Sequence, residues 1–218
     1  MDAPAELLRD FVNTYDVQGD TDELASPAEL AIWLRERGLI SEADRAVDDD
    51  WALAVNLREG LRSALRHEHA PEATRDAPAP GPVADTRGPG PATETPAPGP
   101  VAEALAPGPV AEAASTRLEA ALAALPLRIT LVDGAPAPEP LAEGAARGLG
   151  LIATAVLRAH ADGSWPRLKV CADSTCQWAF IDSSKNRSRA WCSMRVCGNR
   201  TKTRAYRARR QQSAPRAS

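Results

Sequence analysis

The first apolar cluster, Leu7, Leu8, Phe11 and Val12, falls on one side of a helix over residues 5–13. A polar stretch from Asp16 to Glu23 interrupts the pattern. Ser26-Pro27-Ala28-Glu29 then reads as a helix start. Ser26 caps, Pro27 suits the first helical position, and Glu29 closes a capping box. Leu30, Trp33 and Leu34 supply the apolar stripe and Gly38 the stop. The spacing of Val47, Trp51, Ala54, Val55, Leu57, Leu61 and Leu65 predicts a longer helix from about Ser41 to His69.

Periodicity then vanishes over residues 70–113. Ala-Pro-Gly-Pro-Val-Ala occurs three times, beginning at Ala79, Ala97 and Ala106. Proline removes backbone donors, and a solenoid repeat would have to bury a face that these copies lack. The segment reads as a disordered, partly polyproline-like insertion whose role is connection; docking into an aromatic groove is the alternative. Order resumes with a helix from about Ser115 to Leu125. Leu127, Ile129 and Leu131 alternate with Arg128 and Thr130, which predicts a half-buried strand. A helix over 141–160 points Leu149, Ile152, Val156 and Leu157 inward, and Arg167 to Val170 forms a short strand. Residues 213–218 read as a disordered tail. The expected fold class is mainly α with a small β component (α+β). It consists of a helical N-terminal domain over 1–164, interrupted by the insertion, and a small C-terminal module over 165–212.

Charge sharpens that division. The formal net charge of -3 hides an N-terminal part, 1–164, at -14 and a C-terminal part, 165–218, at +11. An acidic body with a basic end points to an anionic partner for that end, nucleic acid first. No run approaches the roughly 18 apolar residues that a membrane span needs, so no membrane partner is expected. The opening Met-Asp-Ala-Pro-Ala-Glu lacks a charged-then-apolar leader, so the expected location is the cytoplasm; the nucleic-acid reading of the basic end extends that expectation to a bacterial nucleoid only with the family resemblance given below.

All four cysteines fall in the basic part as Cys-x4-Cys, 15 residues, then Cys-x4-Cys: Cys171, Cys176, Cys192 and Cys197. In a reducing compartment such a cluster is metal-binding rather than disulfide-bonded. Two ligand pairs on tight turns, separated by a hairpin-sized segment, suit the tetrahedral preference of zinc for thiolates. With no histidine after His160, one closed structural Zn2+ is expected. Two disulfides, reactive thiols or an iron–sulfur cluster are the alternatives. Between the pairs, Gln177 to Ile181 predicts a strand and Asp182 to Asn186 a turn.

The residues around these cysteines resemble the CGNR zinc-finger family, whose signature stands here as Cys197-Gly198-Asn199-Arg200. Lys169-Val170-Cys171, Cys176-x3-Phe180-x-Asp182, Asn186-Arg187-Ser188-Arg189-x-Trp191-Cys192, Lys202 and Tyr206 also fit it. Phe11-Val12-Asn13-Thr14, Leu30-x2-Trp33-Leu34-x3-Gly38-Leu39 and Leu57-Arg58-Glu59 resemble that family's partner domain, called ABATE and described as a stress-induced transcription regulator. The resemblance implies a treble-clef-like zinc module over 165–212, DNA binding and transcriptional regulation.

From Asn199 onward the chain reads as a helix, with Asn199 or Thr201 as a cap and charge on most sides. Arg200, Arg204 and Arg207 share one face. With Lys202 and, from the preceding segment, Lys185, Arg187 and Arg189, they form the candidate nucleic-acid-binding set. Such side chains bind phosphate, or guanine in the major groove. Trp178, Phe180, Trp191 and Tyr206 either pack around the zinc site or stack on RNA bases. A zinc-stabilised adaptor for an acidic protein is a further alternative. Asp48-Asp49-Asp50 reads as a solvated face, and His67 and His69 as surface residues. No phosphate loop, nucleophile elbow or His-x-Glu pairing is present, so no enzyme activity is expected. The sequence names no effector; the N-terminal domain is expected to sense a signal or mediate assembly.

Overall fold

The computed structural model describes residues 3–68 and 109–212. His69, most of the proline-rich insertion and the tail 213–218 lie outside the described residues. Helix α1, Pro4–Val12, starts on a proline and buries Ala5, Leu7, Leu8, Phe11 and Val12. A two-residue ladder follows, β1 (Tyr15–Asp16) against β2 (Thr21–Asp22). Asp16 closes its turn by accepting the N–H groups of Gln18 and Gly19. In α2, Pro27–Glu36, the expected Ser26 cap forms: the Glu29 N–H donates to Ser26 Oγ, and the Glu29 carboxylate accepts the Ser26 hydroxyl in place of the backbone N–H of a full capping box. Leu30, Ala31, Trp33 and Leu34 are buried, and Gly38 ends the element at φ +65°.

The long third helix starts later than its apolar spacing predicts. It spans Asp48–Glu68 (α3). Ser41 donates its N–H and hydroxyl to Asp44, which makes a local turn that competes with the helix. The acidic run 48–50 forms the first turn of α3, where the helix dipole favours it, and Asp50 accepts the Val47 N–H. Ala54, Leu57, Leu61 and Leu65 are buried as expected, whereas Val47 is exposed.

Helix α4, Pro109–Ala123, begins inside the third proline-rich copy. Pro109 occupies the opening turn, where its missing N–H has no helical partner to lose, and an alanine-rich stretch follows. Gly60 lets α3 approach α4 closely, since a Cβ there would lie 2.9 Å from the Leu118 Cα. Strands β3 (Leu127–Val132) and β4 (Ala135–Pro140) form an antiparallel hairpin through an Asp133-Gly134 turn with both residues at positive φ. The half-buried face expected for β3 does not materialise: Ile129 is 71% and Leu131 74% exposed. The hairpin packs only its base, where Pro140 sits on Gly150 of α5 (Gly144–Ala161). In α5, Leu149 and Ile152 are buried, but Leu157 is 52% exposed and so does not point inward.

After a 3-10 turn, Trp165–Arg167, β5 (Leu168–Val170) pairs antiparallel with β6 (Ala179–Ile181). The core does not stop at the charge boundary. Leu168, Val170 and Ala179 share one buried cluster with Leu8, Phe11, Leu61, Leu65 and Ile152. A π-helical turn, Met194–Gly198, leads into α6, Asn199–Gln212.

Candidate metal centre and basic helix

The first cysteine pair sits on a knuckle between β5 and β6. The Cys171 N–H donates to the Trp178 carbonyl, which closes the strands over the turn. The N–H groups of Cys176 and Gln177 both donate to the Asp173 carbonyl, and Thr175 donates its N–H and hydroxyl to the Asp173 carboxylate. Gln177 reverses the chain at φ 52°. The second pair brackets the π-helical turn, which Ser193 caps by accepting the Val196 N–H. Knuckle and helix start together bring all four Sγ atoms within 4.8 Å of one another.

Zinc fits this cluster. Four sulfurs about 2.3 Å from one ion lie roughly 3.8 Å apart at tetrahedral corners. Here Cys176–Cys192 is 3.6 Å and Cys192–Cys197 is 3.7 Å, far beyond a disulfide bond. Cys171, Cys176 and Cys197 are buried, with Trp191 packed beside them. Burial pushes the metal-free Cys176 thiol up to about 11 and raises Cys192 further. At Cys197 burial is outweighed by hydrogen bonds from the neighbouring thiols and by the Arg200 charge, and the thiol is lowered. The four cysteines form a single structural zinc site. Bound zinc cross-links knuckle to helix and holds its ligands as thiolates.

Arg200, in the first turn of α6, turns back toward this site. Its Nε donates to Asp173 Oδ2 at 2.6 Å, both terminal nitrogens donate to Gln18 Oε1 at 3.1 and 3.2 Å, and one lies 3.5 Å from Cys197 Sγ. Burial would raise the Asp173 carboxyl, but Thr175 and Arg200 hold it below its ordinary value. One guanidinium thus joins zinc ligand, knuckle and the β1–β2 turn. Beyond it α6 faces solvent: residues 202–210 are all exposed. Arg200, Arg204 and Arg207 line one face, as their spacing predicts, along an open concavity of about 550 Å³ with Thr203 and Ala208. Arg204 reaches Asp173 at only 3.7 Å, and Lys202 points to solvent.

Lys185, Arg187 and Arg189 stand exposed on the loop after β6. A buried ion pair shapes that loop: Lys169 Nζ lies 2.9 Å from Asp182 Oδ2 and also donates to the carbonyls of Arg187 and Arg189. Asp182 further accepts the N–H groups of Ser184 and Arg189. The Arg189 guanidinium lies 5.0 Å over the Phe180 ring and donates to the Cys192 carbonyl, so it braces the loop. Of the aromatics, Phe180 is buried and Trp191 packs on the cysteines, whereas Trp178 and Tyr206 are exposed.

The residues that sequence reasoning left without a role are the ones that seat this module. Asn13 pairs with the Ala179 backbone as a strand would: its Nδ2 donates to the Ala179 carbonyl at 2.9 Å and its Oδ1 accepts the Ala179 N–H at 2.7 Å. Buried Arg62 donates to the carbonyls of Gln177, Val12 and Tyr15. Arg58, equally buried, holds β2 through a two-bond pair with Asp22 at 2.6 and 2.8 Å. A polar residue on the apolar side of α1 and two arginines one turn apart on the inner face of α3 were the available signals.

Two family models match the chain. The ABATE model, with the description "Putative stress-induced transcription regulator", covers residues 5–167. The CGNR zinc finger model covers residues 167–210. The comparison with curated proteins gives no match. Both families are of regulator and zinc-finger type, not enzymes. No helix among the described residues is long and apolar enough to cross a membrane.

Proposed function

Because the chain belongs to the ABATE family of regulators and ends in a CGNR zinc finger, we propose that it is a zinc-dependent DNA-binding transcription regulator with α6 as its contact element. The observation that carries this reading is the exposure of every residue from Lys202 to Arg210 on a helix anchored at its first turn. An exposed helix ringed by Lys and Arg presents charge on most sides, and the major groove accepts a helix of this diameter. Lys202, Arg204 and Arg207 make the α6 contacts, and Lys185 and Arg187 add phosphate contacts from the neighbouring loop. Arg200 and Arg189 aim these elements, since their own donors are engaged by Asp173, Gln18 and Cys192. The N-terminal domain senses a signal or mediates assembly and transmits it through the shared core.

The test is fluorescence anisotropy of the zinc-loaded chain on duplex DNA across a salt series. Five phosphate contacts give a slope of log K against log salt of about -4.5, at roughly -0.9 per contact. Arg207→Ala should make that slope shallower by about one contact, with zinc content unchanged. No binding at low salt refutes the reading. Tighter binding to single-stranded RNA, through exposed Trp178 and Tyr206, would move the function to RNA.

A further inference from the structure

We propose that the free edge of β3 pairs with β3 of a second copy of this chain, forming a two-fold dimer centred on Ile129. The ladder defines which backbone groups are free. Leu127, Ile129 and Leu131 stand opposite Pro140, Pro138 and Pro136. Proline has no N–H, so these are the non-bonded pairs of the antiparallel ladder. The Leu141 N–H donating to the Pro126 carbonyl at 3.1 Å fixes the same parity independently. The N–H and C=O groups of Leu127, Ile129 and Leu131 therefore point away from β4, and no described residue hydrogen-bonds to them.

The two edges of the hairpin are not alike. The outward backbone nitrogens of β4 belong to Pro136, Pro138 and Pro140, so that edge offers no donors there and is closed to strand addition. The β3 edge keeps all its donors and carries Ile129 and Leu131, 71% and 74% exposed. No bulge interrupts the register along its length. An open, apolar, regular edge beside a proline-blocked one is a pairing site.

A second copy is the occupant that matches every position. Antiparallel pairing through a two-fold axis at Ile129 sets Ile129 against Ile129 and Leu127 against Leu131, with Arg128 opposite Thr130. This register keeps the apolar residues of both strands on one face, whereas a one-residue slip would set apolar against polar. The outward groups of residues 127, 129 and 131 then form three bonded pairs, and no like charges stand directly opposite; the two Arg128 side chains are diagonal neighbours, each paired with its own Glu139. The resulting four-stranded sheet ends on both sides in proline-blocked β4 strands, so association stops at two. A pairing this narrow falls at the low end of specific interfaces, which implies a dissociation constant on the order of micromolar.

Sedimentation velocity of the full zinc-loaded chain, without DNA, should show a monomer–dimer equilibrium over a concentration series spanning about 1 to 200 µM. Ile129→Lys should be monomeric throughout, with unchanged circular dichroism and zinc content. Val132→Lys removes another exposed apolar side chain, 56% against 71% for Ile129, from the opposite face and should leave the dimer intact. Hydrogen exchange at the Ile129 amide should slow as concentration rises. A wild-type chain monomeric across the series overturns the proposal, as does a dimer that survives Ile129→Lys or that Val132→Lys dissolves equally.

Discussion

Lys169→Met isolates the ion pair that shapes the loop beneath the basic helix. The two charges lie 2.9 Å apart, with the Lys169 side chain 9% and the Asp182 side chain 0% exposed. Methionine keeps the volume of the stem and removes the ammonium. Asp182 then keeps the N–H groups of Ser184 and Arg189 but loses its counter-charge, and the carbonyls of Arg187 and Arg189 lose a donor. Stranding one member of a buried pair costs about 3–5 kcal/mol. At a urea slope of about 2 kcal/mol/M, the midpoint should fall by roughly 1.5–2.5 M. Tryptophan fluorescence of zinc-loaded protein reads this directly. The pH dependence gives a second check. Burial opposes ionisation of Asp182, but hydrogen bonds from Ser184, Lys169 and Arg189 overcome it and hold the carboxyl well below the usual range. A depressed carboxyl contributes stability above its unfolded value of about 3.9, lost as pH falls through the folded value. Without Lys169 the Asp182 value rises, so the stranded carboxylate protonates at higher pH than in the wild type. The stability gap between the two proteins should therefore hold through neutral pH and narrow only as pH falls below about 4, the zinc site being common to both. A midpoint change under about 0.5 M, or a gap that widens on acidification, refutes the argument.

Asn13→Ala removes both hydrogen bonds to Ala179 and should cost about 2 kcal/mol, measured by urea unfolding; a change within error would mean that water replaces the amide. Gly150→Ala places a Cβ 2.8 Å from the Pro140 Cβ and should cost about 1–3 kcal/mol, seen as a lower melting temperature. Zinc chelation should unfold the cysteine module and also speed hydrogen exchange in α1, because Leu168, Val170 and Ala179 share its core. Unchanged α1 protection would show that the module is only tethered.

The helices that were legible in the sequence carry their own instructions. In α2 the cap, the proline, the apolar stripe and the terminal glycine all agree, and the element forms within a residue of its expected start. The four cysteines were legible because metal ligation ties function to spacing. Where the reading failed, a local competitor or a distant partner decided. Ser41 and Asp44 stop α3 from extending back, although Val47 continues its apolar rhythm. The Asp133-Gly134 turn was a written hairpin signal, but its second strand, Ala135–Pro140, has a proline at every other position and no β propensity. It works because each proline falls where the ladder needs no donor, which only the paired register reveals. The β3 alternation was read correctly as a strand and wrongly as half-buried, since period two gives the faces but not which one is covered. Arg200 presented the same problem: helical spacing placed it on the face with Arg204 and Arg207, but not its turn back to Gln18, 182 positions earlier in the chain.

In the function proposed above, a signal sensed in the N-terminal domain has to reach the basic helix, and that long-range contact offers the route. A zinc finger on a loose linker would report nothing about its neighbour. Here the knuckle leans on α1 through Asn13 and on α3 through Arg62, and the start of α6 is fastened to the β1–β2 turn through Arg200. Zinc fixes the angle between knuckle and helix, so a shift of the knuckle on α1 and α3 must move α6 with it. Because α6 is exposed from Lys202 to Arg210, a small rotation at Arg200 is amplified along its length. A helix of 14 residues is about 21 Å long, so a tilt of roughly 10° at its root carries the far end about 3.6 Å, close to the roughly 3.4 Å axial step between phosphates on one DNA strand. On the proposed function, the polar seat of the module, rather than the cysteines, is therefore where a change in the N-terminal domain would become a change in what the helix can reach.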